Sequence, residues 1–435
     1  MNTRSIKVFA LSTLFTLPFF SPMSHSAAFG VAEQSALGLG NAFAGGAASA
    51  EDASTIWFNP AGMTRIKGNQ MVLGMHFIAP SFDFDDDGST NSAGASNFAD
   101  GSEDGGRFAY VPNFYYVHSL DNDVKLGVGI NSPFGLATKY GADWIGKYQA
   151  IESEIVTVNI NPSVAWKATT NLSLGFGISI QYIEATLNNK VDFSVLGAIP
   201  DGFSHLEADD ISYGFNLGAL YNITNKTRIG LSYRSEIKHD FEGDADFRNI
   251  TPALNLDLVL ADTHLDVQPD LPASASLSIH HQWNDSIDIM ADATWVGWSS
   301  VPALVIMFDN PLKADSTDIL RLKDNIRLSL GATYSTEGPW TYRIGAAYDE
   351  GAARNASSRS SRFPDNDRYW LAIGASYQLA DNLSLDAGYA HLFVPDTKIN
   401  RSSEVTGLNP AELSAVRGDY ESDADIISVQ LRWDM

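Results

Sequence analysis

The chain has 435 residues, a formal net charge of −24 and no cysteine. So large an excess of acidic residues makes nucleic acid a poor partner, because binding to its phosphates depends on Lys and Arg. The sequence has no run of about 18 apolar residues, which excludes a transmembrane helix. The chain is therefore either soluble or a membrane β-barrel.

The first 26 residues have the three parts of a secretory signal peptide. Arg4 and Lys7 form a charged start, an apolar run of about thirteen residues follows, and small residues precede a cleavage point after Ser26. The run is too short to cross a bilayer as a helix, which disfavours a membrane anchor. We predict a signal peptide at residues 1–26, with cleavage after Ala28 as the alternative.

Residues 27–68 form a small, Gly- and Ala-rich segment that ends just before the first clear β-strand. The segment has too few large apolar residues to build a core of its own. It closes on a turn at Asn59, Pro60 and Ala61. We predict that it folds inside another structure, as a hatch that plugs the lumen of a barrel.

From residue 69 to residue 435, apolar and polar side chains alternate with period two, which indicates strands with one apolar and one polar face. The runs include Leu172–Tyr182, Tyr213–Tyr221, Ile229–Tyr233, Leu328–Tyr334, Tyr369–Tyr377, Leu383–Tyr389 and Ile427–Met435.

Soluble β-sandwiches also alternate, but three further features favour an outer-membrane barrel. The runs reach about ten residues and carry aromatic residues at their ends. Tight links such as Asn222–Lys226 and Ala380–Asn382 alternate with long polar connections such as Asp85–Gly105 and Asn189–Asp209. We predict an all-β fold: a transmembrane antiparallel β-barrel of about 14 strands over residues 69–435, with the hatch in its lumen.

The sequence gives little support for catalysis. There is no Gly-x-Ser-x-Gly elbow, and the nine histidines show no zinc spacing. His280 and His281 are adjacent on a predicted strand, so their rings face opposite sides and cannot chelate one metal. We expect no enzyme activity, no cofactor and no metal site.

An ordered set of motifs covers essentially the whole chain after the signal peptide and resembles one family, the long-chain fatty-acid transporters of the outer membrane. The motifs lie at Glu33–Ser35, Gly38–Gly40, Ala42–Gly45, Asp52–Ser54, Asn59–Ala61, Pro112–Tyr116, Pro133–Tyr140, Asn159–Ser163, Arg228–Ser235 and Pro364–Trp370. Each motif alone is weak, but the ordered set is specific.

The resemblance implies a 14-stranded barrel closed by a hatch, with substrate leaving sideways through a gap made by an inward kink in the third strand. It places Asn59, Pro60 and Ala61 near that kink as a gating turn; an ordinary turn between hatch and barrel is the alternative. It places the lateral opening near Ala109 on the second strand and Ser132 on the third. Both residues are small. This suits an opening in the wall, and it would equally suit simple close packing.

The resemblance also suggests residues that handle the ligand. Arg368 and Asp324 fall on motif positions linked to ligand handling in the family, and Lys190 lies near another basic position. Arg321 and Lys323 are further candidates for the partner of a fatty-acid carboxylate. The alternative is that these cations pair with lumenal acids such as Asp324 and Asp367.

We therefore expect an outer-membrane protein for passive uptake of hydrophobic compounds, with long-chain fatty acids as the first candidate substrate. The same fold carrying small aromatic hydrocarbons is the alternative, followed by a general porin or a structural barrel. The expected partners are the hydrophobic substrate, outer-membrane lipid and lipopolysaccharide. We expect a monomer that binds no nucleic acid.

Overall fold

The computed structural model describes residues 28–96, 102–402 and 414–435. These residues form a closed antiparallel barrel of 14 strands, as the sequence predicts. The ring closes because the first strand pairs with the last, from Gln70 opposite Asp434 to Asp86 opposite Gly418. The predicted signal peptide lies outside the described residues.

Several barrel strands consist of two or three segments. The strands are β1 (Gln70–Asp86), β2 (Ala109–Ser119), β3 (Val124–Asn131 and Gly135–Lys139), β4 (Glu152–Lys167), β5 (Leu172–Val191), β6 (Gly202–Asn222), β7 (Thr227–Arg234, Ile237–Lys238 and Phe241–Arg248), β8 (Thr263–Val267, Asp270–Leu271 and Ser274–Gln282), β9 (Ile287–Val296 and Ala303–Phe308), β10 (Ser316–Ile319 and Asn325–Ser335), β11 (Trp340–Asp349), β12 (Arg368–Ala380), β13 (Leu383–Ser402) and β14 (Ala415–Asp434). A short strand at Ser102–Asp104 pairs with the end of β1.

The side chains of the wall are arranged inside out relative to a soluble protein. On β5, Leu174, Phe176 and Ile178 face outward and are 41–45% exposed, whereas Ser179 and Gln181 face the lumen and are buried. Period-two alternation directs one set of residues to each face. An outward apolar band is what a hydrocarbon solvent requires of a barrel.

The two ends of the barrel differ in their connections. At one end, six tight turns join consecutive strands, at residues 120–123, 168–171, 223–226, 283–286, 336–339 and 381–382. At the other end, connections such as residues 140–151, 249–262 and 350–367 are longer. The predicted connection Asn189–Asp209 is shorter than expected, because β5 continues to Val191 and β6 begins at Gly202. The backbone N–H and C=O groups of these polar stretches hydrogen-bond to each other. The two strands therefore continue here although they have no apolar face.

Residues 28–66 lie within the ring of strands. They contain α1 (Ala36–Gly40), α2 (Gly46–Ser49), α3 (Thr55–Phe58) and a 3₁₀ helix (Pro60–Arg65). The helix α1 contacts β12–β14, α2 contacts β7 and β8, and the 3₁₀ helix contacts β4–β6. This segment, the hatch, therefore touches the wall on several sides.

Outside the hatch, the described helices are α4 (Leu256–Val259) and short 3₁₀ turns at Ser194–Leu196, Ala253–Asn255 and Trp298–Ser300. None of the described helices is long and apolar enough to cross a membrane.

Candidate functional site

The barrel wall is interrupted between β2 and β3. The pairing of these strands runs only from Phe114–Ser119 on β2 to the first segment of β3, so Ala109–Asn113 have no described partner on β3. The two strands meet again beyond the interruption, where Gly106 lies opposite Thr138. Between the two segments of β3 lies Pro133, which has no N–H to donate to a ladder. We call this interruption the wall gap.

Ala109 begins β2 and Ser132 lies in the break of β3, so the two residues lie on opposite sides of the wall gap, as the resemblance implies. Ala109 is fully buried, and the Ser132 hydroxyl lies 3.3 Å from Oγ1 of Thr157 on β4. Their part in a lateral opening stays a prediction.

The first residues of the hatch cover the wall gap from inside. The Val31 N–H donates to the Pro133 carbonyl at 2.9 Å, and the Gly135 N–H donates to the Phe29 carbonyl at 2.7 Å. The hatch thus supplies backbone partners at the point where β3 is broken. The two bonds therefore fasten the start of the hatch across the wall gap.

Gln34 fastens the hatch to the same place through its side chain. Its Nε2 donates to the Ser132 carbonyl at 2.9 Å, and its Oε1 accepts from Asn131 Nδ2 at 2.8 Å. Gln34 is fully buried. The sequence singles out Glu33–Ser35 as a motif but gives no sign of this contact, because a strand pattern does not show which lumenal group lies behind a break.

The turn at Asn59, Pro60 and Ala61 is fastened to a different part of the wall. Asn59 Nδ2 donates to the carbonyls of Ala47, at 2.7 Å, and of Ala219 on β6, at 3.0 Å. Its Oδ1 accepts from the Ala61 N–H at 3.0 Å. The bonds of this turn therefore hold the hatch to β6 rather than to β3, and a gating role for it stays a prediction.

A cavity of about 170 Å³ lies between the hatch and the wall gap. We call it the inner cavity. Its apolar and aromatic lining includes Val31, Trp57, Phe58, Pro60, Phe134 and Trp298. Pro60 of the turn and Phe134 of the wall gap both line it, so the turn and the gap face the same cavity although no hydrogen bond of the turn reaches β3.

Two arginines on the wall of the inner cavity are held by the hatch. The guanidinium of Arg234 lies 3.7 Å above the ring of Trp57, and Nη2 donates to the Trp57 carbonyl at 3.1 Å. Arg327 Nη2 donates to the Ala42 carbonyl at 2.7 Å. Arg234 therefore covers one face of the Trp57 ring, and the lining also includes the carboxylates of Asp292 and Asp349.

A second cavity, of about 210 Å³, lies at the end of the barrel with the longer loops. We call it the outer cavity. Its apolar lining includes Leu206, Phe247, Leu260, Leu304, Ile306 and Phe308, and its cations are Lys190, Lys313, Arg321, Arg362 and Arg401. The structure thus brings together two of the predicted ligand residues, Lys190 and Arg321, with three cations that the sequence did not suggest.

The cations of the outer cavity differ in how they are held. Arg401 pairs with Asp318 and donates to the Ile319 carbonyl at 2.8 Å. Arg362 donates to the Ser153 hydroxyl at 2.9 Å, and burial lowers the pKa of its guanidinium to about 10, so it remains charged at neutral pH. The ammonium of Lys190 lies 6.0 Å from the centre of the Phe203 ring.

The other three predicted ligand residues line neither cavity. Arg368 forms an ion pair with Asp365, and the two side chains are only 4% and 2% exposed. Lys323 pairs with Glu350 at 2.5 Å. Contact of Arg368, Lys323 or Asp324 with a ligand stays a prediction that these pairings do not support.

Asp324 is held by the end of the first segment of β9 and by the turn between its two segments. Its carboxylate accepts from the Ser299 N–H at 2.9 Å and from the Trp295 indole at 3.2 Å. Burial acts to raise the pKa of Asp324, but the hydrogen bonds from Ser299 and Trp295 outweigh it and hold the pKa below its usual value.

A Ser–His–Asn chain lies in the wall between β1, β2 and β14. His76 Nδ1 lies 2.6 Å from the Ser428 hydroxyl, and Nε2 lies 2.6 Å from Asn113 Nδ2. All three side chains are at most 2% exposed, and none lines the inner or the outer cavity. A hydrolase needs its serine to be accessible to substrate. We therefore assign these three hydrogen-bonded side chains a structural role, holding β2 against its neighbours.

Comparison with known proteins gives one consistent family. Residues 18–435 match the family profile described as outer membrane protein transport protein (OMPP1/FadL/TodX). The chain is 31% identical over 404 residues to outer membrane protein P1 of Haemophilus influenzae, covering 85% of this chain and 86% of that protein. It is 30% identical over 424 residues to the long-chain fatty acid transport protein of Escherichia coli O6:H1, covering 87% and 91%.

Solved structures resemble the fold. A FadL homologue of Pseudomonas aeruginosa superposes with a TM-score of 0.85 at 24% identity, over 94% of this chain and all of that one. The toluene transporter TodX of P. putida superposes with a TM-score of 0.63 at 18% identity, over 88% and 94%.

Proposed function

Since this chain belongs to the OMPP1/FadL/TodX family of outer membrane transport proteins, we propose that it takes up long-chain fatty acids. The family carries hydrophobic compounds, and its members are transporters rather than enzymes. The proposal extends this shared property to one substrate class.

The lining of the outer cavity carries the proposal. A fatty acid is a long apolar chain with one carboxylate, and the cavity combines an apolar wall with Lys190, Arg321 and Arg362. A neutral hydrocarbon makes no use of such cations. Burying about 16 methylenes at about 0.8 kcal/mol each stabilises the bound chain by about 13 kcal/mol at most. A rigid site that bound this tightly would not release its ligand. Onward transfer therefore requires movement of the protein.

The route that we propose follows the two cavities. Substrate enters the outer cavity from the cell exterior, passes to the inner cavity, and leaves through the wall gap into the membrane. The hatch residues Phe29–Gln34 cover the wall gap, so their displacement is the movement that release requires. The drive is the downhill gradient of substrate.

Lys190 provides the first test of the carboxylate site. We expect Lys190→Met to weaken oleate binding about fivefold to tenfold, because it removes one cation from the outer cavity while keeping the apolar stem. Toluene binding should not change. Equilibrium binding to the purified protein in detergent measures both.

Lys398→Met is the matched control, because Lys398 is an exposed lysine near the same end of the barrel and lines neither cavity. Loss of oleate affinity in both variants would point to general electrostatic attraction. Unchanged oleate affinity in Lys190→Met would remove Lys190 from the site.

Aromatic hydrocarbons are the second candidate, and the inner cavity is the observation that favours them. It is lined by Trp57, Phe58, Phe134 and Trp298, whose rings suit a flat apolar ligand. On this alternative, toluene binds tightly and oleate binds no better than a neutral amphiphile. The hatch and its bonds argue against a general porin.

A further inference from the structure

We propose that the periplasmic end of the lumen holds an anion site, which binds a small phosphate- or carboxylate-bearing solute of the periplasm. The site is a cavity of about 430 Å³ between the hatch and the wall, which we call the vestibule. It is separate from both substrate cavities, and the inference does not depend on the identity of the substrate.

The position of the vestibule follows from the turns around it. Lys226 lies in the turn between β6 and β7, Gln282 ends β8, and Ser335 ends β10, so the cavity lies at the end of the barrel with the tight turns. In outer-membrane barrels this end faces the periplasm. The wall strands separate the vestibule from lipid, which favours a free solute over a lipid headgroup.

Charge is the first argument for an anion. Five cations line the vestibule against two carboxylates, in a chain whose formal net charge is −24. The cations are Arg65, Lys226, Arg228, Arg343 and Arg432, and the carboxylates are Glu51 and Asp288. Arg432 is also offset by Asp52, Asp386 and Asp434, so the surplus of positive charge that a bound anion would neutralise lies with the other cations, Arg65, Lys226 and Arg228 above all.

The partners of these groups are the second argument. Glu51 is already engaged, because Arg343 Nη2 donates to its Oε2 at 2.9 Å. Burial acts to raise the pKa of Glu51, but the Arg343 guanidinium outweighs it and holds the pKa below its usual value. Among the described residues, the charged groups of Arg65 and Lys226 form no hydrogen bond or ion pair.

Buried donors without partners are the third argument. Two side chains on the wall of the vestibule, His280 and Arg343, are 5% and 6% exposed. Nδ1 of His280 and Nε of Arg343 have no hydrogen-bond partner among the described residues. A buried N–H without a partner is unfavourable, and an acceptor-rich anion would supply a partner for the Arg343 Nε–H and for His280 Nδ1 when that atom carries the proton.

An anion in the vestibule would also join the hatch to the wall. Arg65 and Glu51 belong to the hatch side, whereas Arg343 and Arg228 belong to β11 and β7. Arg228 already donates to the carbonyls of Ala48 and Ser49, each at 2.5 Å. A bound anion would therefore add to the contacts that keep the hatch seated.

Thiol labelling tests the site without needing its natural ligand. The chain has no cysteine, so Ser49→Cys places a single thiol on the hatch at the edge of the vestibule. We expect an anionic methanethiosulfonate reagent to react at least about tenfold faster than a cationic one, after correction for their rates with a free thiol. Inorganic phosphate should slow the anionic reagent.

The double variant Arg65→Gln with Lys226→Gln should abolish most of the preference for the anionic reagent over the cationic one. Both residues are exposed, so the barrel should still fold. The matched control is Arg248→Gln with Lys398→Gln, two exposed cations outside the vestibule, which should leave the preference intact. Titration calorimetry of unlabelled wild-type protein with inorganic phosphate provides a second readout, with binding expected and weakened about tenfold in the vestibule pair.

Three results would overturn the proposal. One is equal reaction of the two reagents in the wild-type background together with no heat of phosphate binding. Another is an equal loss of preference in the vestibule pair and the control pair. The third comes from repeating the labelling in lipid vesicles. If the thiol is protected from the anionic reagent only when the vesicles contain phosphatidylglycerol, the cations bind a lipid headgroup instead.

Discussion

Replacing Arg368 with alanine should lower the free energy of unfolding of the barrel by about 3–5 kcal/mol. The Asp365 carboxylate would lose its cation while remaining buried, and a buried unpaired charge is strongly unfavourable. Asp365 also accepts from the Ala28 N–H at 3.1 Å and from the Ala353 N–H at 2.9 Å, so the pair ties the start of the hatch to the loop before β12. The shift in the temperature of heat-induced unfolding, followed by electrophoretic mobility, measures the change.

Two further variants separate this role from ligand binding. Asp365→Asn combined with Arg368→Met should be less destabilised than Arg368→Ala alone, because neither partner is left charged. Arg248→Ala is the control, since Arg248 is exposed and its only described ion pair, with Asp246, spans 3.9 Å. Loss of oleate binding by Arg368→Ala with an unchanged unfolding temperature would instead make Arg368 a ligand residue, as the resemblance suggests.

Replacing Gly218 with alanine should unseat the hatch. A Cβ at Gly218 would overlap Oδ1 of Asn59 and lie 2.9 Å from Cδ of Pro60, so the turn must move away from β6. Overpacking of this kind costs about 1–3 kcal/mol, and here the cost falls on the contact between hatch and wall. We expect higher ion conductance in planar bilayers and faster entry of small polar solutes.

Gly338→Ala is the matched control for this substitution. Gly338 lies in the tight turn between β10 and β11, where an added Cβ comes no closer than 3.7 Å to Oγ1 of Thr336. Conductance should remain at the wild-type level in this control. A Gly218→Ala barrel as closed as the wild type would show that the turn at Asn59 does not hold the hatch.

The sequence predicts the wall well because a barrel strand has a local signature. Residues such as Leu174 and Phe176 on one face of β5 and Ser179 on the other follow directly from period-two alternation, and the count of 14 strands is confirmed. The hatch follows less directly: glycines such as Gly218 face the lumen where hatch atoms approach, but the pattern alone does not say which atoms.

The candidate site could be predicted only in part, because its contacts join distant parts of the chain. Lys190, at the end of β5, and Arg362, in the loop before β12, meet in the outer cavity although they are far apart in sequence, so no spacing indicates their proximity. Arg368 stands on a recognisable motif, yet its environment is decided by Asp365 three residues earlier, which turns back onto it. One of the two bonds by which Gln34 reaches the wall gap goes to the backbone carbonyl of Ser132, which leaves no mark on the sequence.

A reversible lock between the hatch and the wall gap tests the proposed route most directly. Gly30 and Phe134 lie opposite each other in an antiparallel bridge, at a spacing suited to a disulfide, and the chain has no other cysteine to interfere. A second pair at Ala375 and Ala387, opposite each other on β12 and β13 and outside all three cavities, is the control. The measurement is uptake of labelled oleate by cells that carry each pair of cysteines, before and after reduction.

We expect the oxidised pair at positions 30 and 134 to block uptake and reduction to restore it, whereas the control pair should transport oleate in both states. Uptake that continues unchanged with the lock shown to be formed would contradict release through the wall gap.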